Sequence, residues 1–246
     1  GASLATWWLG WYPGFLSAES VRQWGGVVSG DFTNLTPATH AIVVWTLTRM
    51  WETPAVVTLV QAFAALLLLA VYLRRMRSLG VPTLPAGVAI VLFGLLPGPA
   101  SATVALEVTT AQALAAMWLF VEALDLAADP VRYLGRWGAV TRLGCALAAV
   151  ALFDHAGVAI VAIVGAGFAV ALRRHLRSLA RPALIAAGVF VVVQILVFEI
   201  AGVDRLVAPV AEVYAPELAA IVRHAPDTFG DDDRALLEAV ADLDVW

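Results

Sequence analysis

The chain contains no lysine and only one cysteine, and few of its 246 residues carry a charge. Charged residues make up 14% of the sequence and hydrophobic residues 61%, which excludes an ordinary soluble domain of this length. The lone Cys145 excludes an intrachain disulfide and a thiolate metal site. The scarcity of basic residues also argues against a nucleic-acid partner. This composition is typical of a membrane protein, and it predicts that membrane lipid is one of its partners.

The basic residues are grouped in a way that predicts an orientation. All of them are arginines, and most lie in three clusters at residues 74–77, 132–142 and 173–177. Cytoplasmic loops of membrane proteins are enriched in basic residues. The clusters therefore predict a multi-pass protein of a bacterial inner membrane whose arginines face the cytoplasm. The other polar residues then face outward, so we expect the active side to be extracytoplasmic.

Apolar stretches predict the helices that connect these clusters. Residues 54–73 are expected to span inward, residues 84–104 outward with a break at Pro97-Gly98-Pro99, and residues 105–126 inward again. Two short helices at 143–153 and 158–172 are expected to meet at a polar corner, and 182–202 to span outward. Residues 37–51 are too short to span, which predicts an interfacial or re-entrant helix.

We therefore predict an all-α, polytopic membrane helical bundle over residues 1–203, with an outer loop at 12–53 that carries interfacial helices. Residues 204–246 predict an extracytoplasmic C-terminal segment, in which Thr228 or Asp231 caps a last helix. The chain begins without Met and ends just after an acidic stretch. We expect it to be an excerpt of a longer protein.

The outer loop contains the polar residues best suited to chemistry. Ser17 is predicted to cap a short helix in which Glu19 and Gln23 stand four residues apart. A carboxylate near the membrane surface can act as a general base. The alternative is structural: Glu19 favours the N-terminus of the helix and pairs with Arg22, as exposed ion pairs often do.

The same loop resembles the first outer loop of a family of bacterial multi-pass membrane proteins, which itself resembles the GT-C glycosyltransferases. The matching residues are Tyr12-Pro13-Gly14, then Ser17-Ala18-Glu19-Ser20 with Gln23 following, then Thr36-Pro37 and His40. Glu19 stands where the family has aspartate, and Thr36 replaces a first histidine. The resemblance implies a GT-C-like arrangement of the helices.

The resemblance also implies an activity. A GT-C glycosyltransferase would transfer a sugar from a polyprenyl-phosphate-linked donor to an envelope glycan or protein acceptor on the outer face. Glu19 would be the catalytic base for the acceptor hydroxyl. The substrate-binding residues would be the other polar side chains of the outer side: Tyr12, Arg22, Gln23, Asp31, His40, Arg49, Glu107, Asp154 and His155.

Departures from the family pattern keep two alternatives open. At the corner of residues 153–157, Asp154 replaces an arginine of the family and Ala156 an asparagine. These changes, together with Thr36, are consistent with a catalytically degenerate relative that binds lipid-linked sugars or scaffolds an envelope-synthesis complex. The second alternative is a transporter, in which Glu107 and Asp154 mark a broken-helix site.

The sequence predicts no bound cofactor. His40 and His155 do not show the spacing of a metal motif, which favours structural roles for both. The alternative is a divalent metal that these histidines bind together with a carboxylate. Gln61 and Gln112 lie inside predicted spans, where amide side chains more often tie helices together than bind substrate.

Overall fold

A computed structural model describes residues 2–30, 32 and 37–200 of the chain. These residues form helices and turns without a β-strand, which confirms the all-α prediction. The predicted C-terminal segment at 204–246, including the helix capped by Thr228 or Asp231, lies outside the described residues. The α-helices are α1 (Ala2–Gly10), α2 (Ala18–Ser29), α3 (Ala38–Thr48), α4 (Ala55–Ser78), α5 (Thr83–Leu95), α6 (Pro97–Thr103), α7 (Val108–Ala128), α8 (Pro130–Leu134), α9 (Trp137–Leu152), α10 (Gly157–Ala171) and α11 (Leu176–Ile195).

Three helical segments are long and apolar enough to cross a membrane, which supports the membrane prediction. They are α4, α7 and the segment at Arg173–Glu199 that contains α11. The stretch predicted at 84–104 is divided between α5 and α6 at the predicted proline break, and each of these helices is too short to cross by itself. The division falls at Leu96, whose extended backbone is the conformation that a residue before proline favours.

The two short helices predicted after the second arginine cluster are present as α9 and α10. They meet at a corner where the backbone of Gly157 passes the preceding helix closely. A Cβ atom at position 157 would lie 2.0 Å from the carbonyl oxygen of Val150, so only glycine fits there. Asp154 supports the corner, because its Oδ1 accepts a hydrogen bond of 2.7 Å from the backbone N–H of Ala156.

Helix packing brings the three arginine clusters to one end of the bundle. Arg75, near the end of α4, pairs with Asp125, near the end of α7, so these two helices run in the same direction. Helix α9 begins at this end and finishes at Phe153, beside His40 of α3. Helix α10 turns back after α9 and packs against the apolar cluster around α9 through Val161, Val164 and Phe168, so its end, just before Arg173, lies at the same end as the start of α9. We call this end the arginine-rich end and the opposite one, where α4 and α7 begin, the arginine-poor end.

The segment after α1 is attached to the arginine-poor end by the backbone. The N–H of Phe15 donates to the carbonyl of Val104 at 3.1 Å, and the carbonyl of Phe15 accepts from the N–H of Leu106 at 3.1 Å. The buried hydroxyl of Ser20 then donates to the carbonyl of Leu106 at 2.5 Å. These bonds hold the start of α2 against the start of α7, and Ser17 caps α2 as predicted.

Gly14 is required for this attachment, and replacing it with alanine is expected to destabilise the protein by about 1–3 kcal/mol. Its φ of +144° disfavours any side chain, and a Cβ atom would meet Cγ2 of Thr58 at 2.8 Å. Thermal unfolding in mild detergent would measure the loss. Gly10→Ala is the matched control, because a Cβ atom there meets nothing within 4 Å. Equal stability of both variants would contradict the prediction.

Candidate functional site

An apolar groove lies between α3, α4, α7 and α9, and we call it the lateral groove. It has a volume of about 660 Å³ and is lined mainly by valine, leucine and alanine side chains. Three of these lining residues, all on α4, are between 42% and 56% exposed: Val60, Leu67 and Val71. Apolar side chains so exposed on membrane-spanning helices face lipid. The lateral groove therefore opens sideways toward the bilayer.

The arginine-poor end of the lateral groove contains a buried histidine in a defined orientation. His40 is 2% exposed, and its ring packs edge-on against Phe153 with 6.4 Å between ring centroids. The amide nitrogen of Gln23 lies 2.7 Å from Nδ1 of His40. Because an amide nitrogen only donates, Nδ1 accepts and the ring proton resides on Nε2. Burial lowers the pKa of His40 to about 4, so the ring is neutral at pH 7.

Two buried polar atoms of the lateral groove lack both a hydrogen bond and an ion-pair partner within the described part of the chain. They are Nε2 of His40 and Oε1 of Gln61. Oε1 of Gln112 is likewise without a hydrogen-bond partner among the described residues. A buried polar group without a partner costs about 1–3 kcal/mol. Such atoms in a groove indicate a binding surface.

The arginine-rich end of the lateral groove is closed by a hydrogen-bonded acid. Glu122 is 5% exposed and accepts a 2.5 Å hydrogen bond from the hydroxyl of Tyr133 and a 2.8 Å bond from Nε of Arg142. Burial, and next the hydrogen bond to Glu122, raise the pKa of Tyr133, which keeps its hydroxyl a donor. Glu122 thereby links α7 to both α8 and α9.

A second ion pair lies one turn further along α7. Asp125 pairs with Arg75 of α4, and Asp125, Glu122 and Arg142 all line the lateral groove. Neither acid was among the site residues predicted from the sequence. Their position in the sequence could have identified them, because two carboxylates inside an apolar stretch of α7 need partners in the protein. The partners themselves come from distant parts of the chain.

Of the substrate-binding residues predicted from sequence, His40 lines the lateral groove and Gln23 holds it in place. Arg49 is exposed and stacks over the ring of Trp45, with 4.7 Å from its guanidinium carbon to the ring centroid. Tyr12 is 53% exposed and meets Trp8 edge-on at 5.4 Å. The outer-loop aromatic residues thus pack on one another outside the groove.

Three further predicted residues lie at the arginine-poor end without lining the lateral groove. Glu107 directly precedes α7 and is half-buried; its side chain makes no capping hydrogen bond, and its Oε2 accepts a 3.1 Å hydrogen bond from the hydroxyl of Thr109. Asp154 supports the corner before α10, as described above. His155 is exposed on that corner. Glu107 and Asp154 therefore act on nearby helix ends.

The remaining predicted positions are Asp31 and the side chains of Glu19 and Arg22, which lie outside the described residues. Glu19 belongs to the first turn of α2, one helical turn before Gln23. Among the residues that the structure describes, no three histidine, cysteine, aspartate or glutamate side chains form a group that could hold a metal ion.

Comparison with known proteins adds no family to this description. No family model matches the chain, and no match was found among curated proteins or among solved structures.

Proposed function

We propose that this chain is a membrane glycosyltransferase of GT-C type, which transfers a sugar from a polyprenyl-phosphate donor to an envelope acceptor on the outer face of the bacterial inner membrane. The observation that carries the proposal is the lateral groove, which is apolar, opens to lipid and has polar side chains at each end. A concave apolar site with a few polar groups is what a lipid-linked substrate requires.

The polar contacts at the arginine-poor end connect the lateral groove to the outer loop. Gln23 of α2 holds His40 at the groove, and Ser20 joins α2 to the start of α7. Glu19 is in the first turn of the same α2. This connection supports a shared role for the outer-loop motif and the groove, as the resemblance to GT-C enzymes implies.

The proposed reaction is a displacement at the anomeric carbon of the sugar. The acceptor hydroxyl oxygen forms a bond to that carbon while the bond from the carbon to the phosphate oxygen breaks. The electron pair of the broken bond leaves with polyprenyl phosphate, and the acceptor proton passes to the carboxylate of Glu19. Glu19 needs only to be ionised and within hydrogen-bond reach of the acceptor hydroxyl to perform this step.

A second candidate function is binding of lipid-linked sugars without catalysis. It is favoured by the polar side chains that line the lateral groove, because its acids are paired with arginines and its other polar residues are uncharged. The acids of the groove, Glu122 and Asp125, are each paired with an arginine at the arginine-rich end. The polar lining residues at the other end are His40 and Gln61, which are neutral. Nδ1 of His40 accepts from Gln23 and Nε2 carries the ring proton, so neither nitrogen is a free base, and the base for transfer would be another side chain of the outer loop.

Filling the lateral groove tests whether it serves the proposed function. Ala64 lines the groove on α4 and is half-buried, so Ala64→Trp is expected to lower transfer at least about tenfold by occupying the space of a lipid chain. Transfer would be measured in membrane vesicles with a panel of labelled polyprenyl-phosphate sugars. Ala70→Trp is the matched control, because Ala70 is exposed on the same helix and does not line the groove. Equal transfer by both variants would contradict a role for the groove.

A further inference from the structure

Two polar atoms in the lateral groove have complementary hydrogen-bonding character. His40 and Gln61 are 2% and 6% exposed, and both line the groove. Nε2 of His40 carries the ring proton, because Nδ1 accepts from Gln23. Oε1 of Gln61 is an acceptor. Within the described residues neither atom has a partner, and each exposes less than 1 Å² of its own surface, so a turn of both side chains toward the groove would present one donor and one acceptor to a ligand there.

We propose that His40 and Gln61 form a binding subsite for the uncharged hydroxyl group of a single-chain lipid, whose apolar chain occupies the rest of the lateral groove. A hydroxyl accepts from Nε2–H of His40 and donates to Oε1 of Gln61, which satisfies both atoms. The proposal rests on the lipid-binding role of the groove that the proposed function assumes, and it specifies the head group.

The charges of the described residues that line the groove disfavour an ionic head group at the subsite. His40 is neutral at pH 7, and the one cationic residue among the groove's lining residues, Arg142, is bound to Glu122 at the other end. A phosphate beside His40 would be buried without a countercharge, which is far more costly than burial of a hydroxyl. An ammonium group would also lack a free carboxylate, since the lining acids are paired.

The length of the groove suits one chain. From Gln61 to Val71 the groove follows α4 for ten residues, which corresponds to about 15 Å of helix. The lining residues of α4 between them are alanine and leucine. The ion pairs of Glu122 and Asp125 close the far end. The occupant of the subsite is therefore a lipid alcohol, which in the proposed reaction is a lipid-borne acceptor, while the phosphodiester of the donor lies outside this subsite.

Three tritiated ligands of equal chain length test the subsite: 1-dodecanol, dodecane and dodecyl phosphate. Equilibrium binding would be measured to the whole protein in nanodiscs, with binding to empty nanodiscs subtracted. We expect wild-type protein to bind 1-dodecanol about tenfold more tightly than dodecane, as two buried hydrogen bonds allow. We also expect dodecyl phosphate to bind more weakly than 1-dodecanol. This comparison needs no variant, so it stands whatever a substitution does to folding.

Gln61→Leu should reduce the preference for 1-dodecanol over dodecane to near unity. Gln112→Leu is the matched control, because it removes another buried amide oxygen without a partner in the described region, at a position outside the groove's lining. We expect that variant to keep the preference. Ratios between proteins cancel the partitioning of each ligand into lipid. Equal binding of alcohol and alkane by wild type, a preference that survives Gln61→Leu, or tighter binding of dodecyl phosphate would each overturn the subsite.

The outcomes separate the subsite from the proposed function. If Ala64→Trp abolishes sugar transfer but wild-type protein does not prefer 1-dodecanol to dodecane, the transferase stands and the subsite is wrong. If the preference exists and is lost in Gln61→Leu while no sugar is transferred, the subsite stands and the transferase is wrong. Absence of binding by all three ligands overturns the subsite and the lipid-binding groove together.

Discussion

Glu19→Gln is expected to lower sugar transfer by about 10²–10⁴-fold, the contribution typical of a general base, while leaving the protein folded. A glutamine side chain has nearly the same shape as glutamate but cannot take the proton of the acceptor hydroxyl. Glu19 is in the first turn of α2, so its removal also costs a small favourable interaction with the helix dipole. Transfer would be measured in vesicles with labelled polyprenyl-phosphate sugars, beside thermal unfolding of the purified variant.

The matched control is Glu52→Gln, which changes an exposed glutamate in the turn before α4. That variant should transfer sugar at the wild-type rate. Transfer retained by Glu19→Gln would remove this residue from the mechanism. A different outcome is that the wild-type protein binds the labelled polyprenyl-phosphate sugars and yet transfers none of the sugars in the panel. That result would favour the degenerate, non-catalytic relative.

Glu122→Ala should lower the free energy of unfolding by about 3 kcal/mol. The carboxylate accepts bonds from Tyr133 and Arg142, and its removal leaves both donors without that acceptor. Breaking a buried ion pair typically costs about 3–5 kcal/mol, and we expect the lower part of this range because the Arg142 side chain is 48% exposed. Unfolding in mixed micelles with increasing denaturing detergent would measure the difference.

Two further variants identify the source of that loss. Tyr133→Phe removes one hydrogen bond to the charged Glu122 and should cost about 1.5–3 kcal/mol. Glu52→Ala removes an exposed carboxylate and should change stability by less than about 0.5 kcal/mol. If Glu122→Ala unfolded with the same free energy as wild type, water would be satisfying the Tyr133 and Arg142 donors in place of the carboxylate. Apolar packing alone would then hold α7, α8 and α9 together.

The helices were largely predictable because the signals are local, although α9 and α11 each begin six residues before the predicted start, at Trp137 and Leu176. The extended residue before Pro97, the serine cap of α2 and the length of α4 all depend on neighbours in the sequence. The arginine clusters are also local, and their common location at one end of the bundle follows from helices that alternate in direction. Residues 84–104 form two short helices, α5 and α6, because Pro97 and Pro99 interrupt what would otherwise be one helix long enough to span.

The site was less predictable, although the outer-loop motif contains part of it. Gln23 and His40 belong to that motif, but their 2.7 Å contact and the burial of His40 depend on α2 and α3 packing together. The role of Gln61 was missed, because an amide inside an apolar span gives no sign of whether it faces a helix or a cavity. Asp154 and Glu107 were selected for their charge, yet each has its hydrogen bond to a nearby residue.

The sequence by itself determined that this is a membrane protein, where its helices lie and how its arginines are grouped. Composition and hydrophobic patterning are properties of short stretches of chain, so they can be read without the fold. The tertiary structure alone decided that α3, α4, α7 and α9 leave a groove open to lipid. It also decided that Glu122 finds Tyr133 and Arg142, and that His40 and Gln61 share one cavity. These contacts join residues far apart in the chain, so they arise only when the helices pack.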